Sequence, residues 1–116
     1  MKMKIRKKKP AAATSLIRRM VRRIVDQFDP EQVILFGSYA RGDAGPDSDV
    51  DLLVVMDVKD SKRKKAVEIG VALHDVAVAK DVFVVRPAEY AWRKKYPGTI
   101  ERPAYIEGKV LYARSG

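Results

Sequence analysis

Between Thr14 and Phe28 the apolar residues Leu16, Ile17, Met20, Val21, Ile24, Val25 and Phe28 recur at helical spacing, and Arg18, Arg19, Arg22 and Arg23 occupy the other side. That stripe predicts an amphipathic helix packed on a core, ended by Pro30. The pattern then changes: Gln32–Phe36 (QVILF) is a short, β-branched-rich run that reads as a buried strand. Residues 37–48 contain Gly37, Gly42, Gly45 and Pro46 and read as turn, with one helical turn over Ser38–Arg41. A second strand is predicted over Asp49–Asp57 (DVDLLVVMD), with Asp49, Asp51, Leu53 and Val55 on one face and Val50, Leu52 and Val54 on the other.

Ser61 suits a helix N-cap, and Ala66, Ile69, Gly70 and Leu73 keep a helical stripe behind it, although the basic run Lys62–Lys65 meets the positive end of the helix dipole. Asp81–Val85 (DVFVV), bounded by Pro87, predicts a third strand. Glu89–Tyr96 and Thr99–Glu107 read as short helices, Gly108 as a C′ residue and Lys109–Ala113 (KVLYA) as a closing edge strand. The order predicts an α+β fold: a mixed β-sheet with helices packed on one side, in which the link between the second and third strands is long enough for a parallel crossover. Residues 14–116 form the expected single domain, preceded by a basic, flexible tail over residues 1–13.

Charge and composition narrow the chemistry. The chain carries a formal net charge of +9, and residues 1–9 are rich in Lys and Arg with no acidic residue among them. Such a block reads as a solvated arm, contact with nucleic acid or an acidic partner being its other use. No cysteine is present and His74 is the single histidine, which excludes a disulfide framework, a thiolate zinc site and a histidine-rich metal site. Any bound metal must be held by carboxylates. No apolar run approaches the roughly 20 residues needed to span a bilayer, and none follows the basic N-terminus as a secretory signal, so a soluble, cytoplasmic protein is expected.

Asp49 and Asp51, at i and i+2, project from one strand face about 6.6 Å apart at a rise of about 3.3 Å per residue. Two partly desolvated carboxylates repel unless one takes up a proton or a cation bridges them. All-oxygen ligation favours Mg²⁺, with Mn²⁺ as the alternative, and Mg²⁺ is usually held by one or two carboxylates together with substrate phosphates. The preceding Gly37-Ser38 turn is a suitable cradle: Gly37 lets backbone approach closely, the amides after it can form an anion nest, and the Ser38 hydroxyl can donate to a phosphate oxygen. Arg41 either adds positive charge to that cradle or supports the loop.

The order strand, Gly37-Ser38, ten residues, Asp49-x-Asp51 on the next strand resembles the motif of the minimal nucleotidyltransferases of the DNA polymerase β-like superfamily, and the SDVDLLV setting of the aspartates matches as well. The resemblance runs from the first helix to EGKVLYAR. It implies a third metal-site carboxylate on a later strand; Asp81 in KDVFVV, sharing a face with Phe83 and Val85, is preferred, and Asp75 in LHDVAVAK is the alternative. It further implies NMP transfer from an NTP substrate, ATP by expectation, with Asp49, Asp51 and Asp81 catalytic and metal-binding, and Gly37 and Ser38 holding phosphates beside Arg41. Minimal members imply a helical HEPN-type RNase toxin as partner, silenced by AMP on a tyrosine, which makes this chain an expected type VII antitoxin in a homo- or hetero-oligomer. The rival readings are a non-catalytic partner-binding antitoxin and a nucleic-acid-binding module built on the tail and the Arg18–Arg23 face.

His74 reads as a surface residue, and Lys80 as either a phosphate contact or a charge balance. Tyr90, Trp92 and Tyr96 read either as core-packing aromatics or as a stacking or docking surface.

Overall fold

The computed structural model describes the backbone of residues 10–115 and the side chains of residues 13–115. The expectation of a flexible arm therefore lies outside the described residues for positions 1–9. Helix α1 spans Pro10–Phe28 and starts before the predicted Thr14. Proline fits a first helical turn, where no N–H is missed, and Ala13 already lies fully buried, so residues 10–13 belong to the helix and not to a tail.

Four strands among the described residues form one sheet in the order β3-β2-β1-β4, with β1 at Gln32–Phe36, β2 at Val50–Val55, β3 at Lys80–Val85 and β4 at Lys109–Ala113. β1 runs antiparallel to β2 and β4, and β2 runs parallel to β3, so the sheet is mixed as expected. Helix α3, Lys62–Ala72, is the crossover between the parallel pair. Its N-terminus is secured as the sequence suggests: the Ser61 hydroxyl accepts from the Lys64 N–H at 3.1 Å. The unfavourable lysine at that end is compensated by Glu89, both of whose oxygens accept from Lys62 Nζ at 3.0 Å.

One part of the predicted layout is corrected. Alternation along the strands creates two apolar faces, and both are covered. Val33, Leu35, Val50, Leu52, Val54 and Val84 pack with residues of α1 and α3. Ile34, Phe36, Leu53, Val55 and Val85 pack instead with Tyr90 of α4, Pro87–Arg93, and Ala104 of α5, Glu101–Glu107. Helices thus lie on both sides of the sheet, because strands apolar on both faces leave neither to water.

Strand β2 is also shorter than predicted. Its pairing with β1 stops at Phe36↔Asp51, so Asp49 lies just before the strand, and Asp57 lies beyond Val55.

Candidate active site

The row Phe36↔Asp51↔Asp81 crosses three adjacent strands at one end of the sheet. Alternation places Asp51 on the face of Leu53 and Val55, and Asp81 on that of Phe83 and Val85, so two carboxylates from different strands stand side by side on the α4/α5 face. Below them Phe36 and Phe83 meet in a tilted contact with centroids 5.7 Å apart. Asp49, one step ahead of β2, is exposed, as is Asp81, whereas Asp51 is half-buried.

The chain turns beside this row. Gly37 has φ 76°, a conformation that side-chain-bearing residues rarely adopt, and its carbonyl accepts from the Ala40 and Arg41 N–H groups at 3.0 Å to start the one-turn helix α2, Ser38–Arg41. A Cβ at this position would run into the Asp51 carboxylate. Gly37 is therefore what lets the Gly-Ser turn lie directly on Asp51.

Burial, then the negative charges of Asp81 and Asp49, hold the Asp51 carboxyl above the usual carboxylate range, while Arg41 pulls it back. Arg41 is not loose: its guanidinium donates to Glu107 at 2.8 Å and to Asp43 at 3.3 Å. These two hydrogen bonds, Glu107 first, raise its already high pKa. Glu107 is a site-rim residue the sequence reading missed; it lies 66 positions from Arg41, and no local pattern joins the two.

Other residues find different work. Asp75, the alternative third carboxylate, is bound to Arg23 of α1, and that hydrogen bond holds its carboxyl below the usual range. Lys80 Nζ donates to the carbonyls of Val76 and Val78 at 2.9 Å, closing the loop before β3. His74 Nδ1 sits 2.8 Å from the Val71 carbonyl. The aromatic trio divides, with Tyr90 buried and Trp92 and Tyr96 more than half exposed.

Among the described residues, no three carboxylate or histidine side chains form a ready-made metal cage. The donors nevertheless fit a hard divalent cation in the manner of Mg²⁺, which needs one or two carboxylates and takes its remaining ligands from water and phosphate. The raised carboxyl of Asp51 is the supporting observation, since its burial and the nearby charges of Asp81 and Asp49 both make a cation beside it favourable. Asp51 and Asp81, joined by Asp49, are the residues that would hold it.

Comparison with known proteins identifies the family and the fold. Residues 17–105 match the family model described as a nucleotidyltransferase domain. An inferred protein adenylyltransferase of Methanocaldococcus jannaschii is 34% identical over 87 residues, covering 71% of this chain and 78% of that protein. The crystal structure of an inferred nucleotidyltransferase from Sulfolobus solfataricus shares the fold with a TM-score of 0.62 at 21% identity, covering 96% of this chain and 94% of that one. A tri-AMPylated Shewanella oneidensis HEPN toxin in complex with an MNT antitoxin also aligns, with TM-score 0.39 and 19% identity over 90% of this chain and 70% of that one. With the family model spanning most of the chain and its Gly-Ser turn and aspartates assembled at one sheet end, this protein belongs to the nucleotidyltransferase domain family.

Proposed function

We propose that the chain transfers AMP from ATP to a hydroxyl group of a protein partner in a divalent-metal-dependent reaction. The observation that carries this reading is the juxtaposition of the Asp51–Asp81 pair with the Gly37-Ser38 turn packed against Asp51. Support for a protein acceptor comes from the Methanocaldococcus relative, whose name assigns it that activity. ATP as the nucleotide and a HEPN-type toxin as the partner follow from the resemblance of the sequence motif to minimal nucleotidyltransferases.

In the proposed reaction the acceptor oxygen bonds to the α-phosphorus of ATP, the bond from that phosphorus to the oxygen bridging to the β-phosphate breaks, and pyrophosphate leaves. Mg²⁺, when bound, supplies charge neutralisation for the phosphates and lowers the pKa of the attacking hydroxyl. The Gly37-Ser38 turn holds the β- and γ-phosphates with backbone N–H groups and the Ser38 hydroxyl. Asp49 and Asp51 would hold the cation, and Asp81 would take the acceptor proton or share in holding the cation. Arg41 adds positive charge at the phosphate end.

Incubation with a purified HEPN-type partner, labelled ATP and Mg²⁺ should leave AMP on a partner hydroxyl, detected by intact mass and peptide sequencing. The Asp49→Asn/Asp51→Asn double variant should leave none. Undiminished transfer by the double variant would refute the assignment. ATP binding without any adduct on the partner would favour an antitoxin that acts by covering its target.

A further inference from the structure

On the sheet face opposite the carboxylates, a groove of about 670 Å³ runs between α1 and the edge strand β4. Its floor is apolar: Ile17, Val21, Val25, Leu35, Tyr39 and Leu111. The strand beside it is poorly protected for an edge, since Val110 and Leu111 are 56% and 39% exposed, and nothing among the described residues pairs with its outer side. Arg18, Arg22 and Lys109 stand on the rim against the single carboxylate of Asp26.

We propose that this groove seats an amphipathic helix of a protein partner, with its apolar side on the floor and its carboxylates against Arg18, Arg22 and Lys109. A helix fits because Ile17, Val21 and Val25 follow one i, i+4, i+8 ridge of α1 at the bottom of the groove, the first two buried against the core and Val25 half-buried, while Leu111 stands exposed beside them, so the ridge of a second helix can lie along the groove. The partner is acidic because the rim is cationic on a chain of net charge +9. A second copy of this chain brings the same cations to the same rim and is repelled. Single-stranded nucleic acid needs exposed rings for its bases, whereas this floor is mainly aliphatic and Tyr39 and Tyr112 are half-buried.

The groove also borders the Gly37-Ser38 turn from the other side of the sheet. Tyr39 directly follows Ser38, so a helix seated here lies against the base of the phosphate turn. That the seated protein is also the acceptor rests on the proposed transfer reaction; the docking itself does not.

The test uses the full chain and a fluorescein-labelled synthetic helix with Leu at i, i+3, i+4 and i+7 flanked by Glu, read by anisotropy without ATP. A peptide of the same composition, scrambled to destroy the apolar stripe, is the control. The patterned peptide should bind, more weakly as salt rises, and the exposed-site variants Arg18→Glu/Arg22→Glu and Leu111→Glu should each weaken it about tenfold or more. Asp51→Asn should bind as the unsubstituted chain does, which separates failure of docking from failure of the catalytic reading. Equal binding of the scrambled peptide, indifference to the groove variants, or displacement of the peptide by oligo(dT) would each overturn the proposal. So would a dimer in light scattering that Leu111→Glu dissociates, because the occupant would then be a second copy.

Discussion

Asp51 and Gly37 are a pair in which each residue constrains the other. Like charges set side by side on neighbouring strands are destabilising, and Asp51 and Asp81 stand in register on the same face. Asp51→Asn should therefore raise the melting temperature at neutral pH in EDTA, by calorimetry, while lowering AMP transfer by about 10²-fold or more. A variant more stable and less active is the expected signature of a functional carboxylate; a stability loss would point to a structural role instead. Gly37→Ala should fail on both counts, since it forces a side chain into a conformation with φ 76° and against the Asp51 carboxylate. A destabilisation of more than about 1 kcal/mol is expected in denaturant unfolding, together with loss of ATP binding. The aspartate spacing was legible in the sequence because Asp-x-Asp has the period of a strand. The contact with Gly37 and the ion pair of Arg41 with Glu107 were not, because both are made by backbone and side chains brought together only by the fold.

At the scale of elements, Glu89 ties α4 to the start of α3. Its carboxylate accepts from the Arg86 N–H at 3.0 Å and from Lys62, and these bonds, the backbone one first, hold it below the usual glutamate range of about 4.3 against the opposing effect of burial. A carboxyl depressed in the folded state stabilises above its unfolded pKa and loses that contribution as pH falls through the folded value. Glu89→Gln should cost about 1 kcal/mol at pH 7, and the difference from the unsubstituted chain should shrink in acid, as followed by urea unfolding across pH 3–7. A deficit unchanged by acid would show that the charge is irrelevant. β1, α2 and β4 have the limits the sequence predicts, because glycine, proline or a change of period marks each end. Helix α4 begins and ends earlier than the Glu89–Tyr96 span predicted: Pro87 is its first residue as well as the stop for β3, and Tyr96 lies beyond Arg93, its ring edge-on to Trp92.

Across the whole molecule, the expected single layer of helices gives way to cover on both sides of the sheet, because both strand faces are apolar and the short helices α4 and α5 carry too little pattern to show which face each takes. Their placement on the carboxylate side matters for the proposed reaction: α5 brings Glu107 to Arg41, so the Gly37-Ser38 turn, the aspartate row and α5 form one connected rim. A ligand that engages this rim binds the folded chain and not the unfolded one, and its affinity becomes stability. Mg²⁺ and a non-hydrolysable ATP analogue at about 100 times the dissociation constant should add about 2.7 kcal/mol, a rise of roughly 10 °C in melting temperature for a domain of this size. The analogue without Mg²⁺ should give little of this, and Asp49→Asn/Asp51→Asn almost none, since the double variant removes the charges that draw cation and triphosphate to the same sheet end. Equal shifts for the double variant and the unsubstituted chain would mean that nucleotide binds elsewhere, and the carboxylate row would then have no part in holding it.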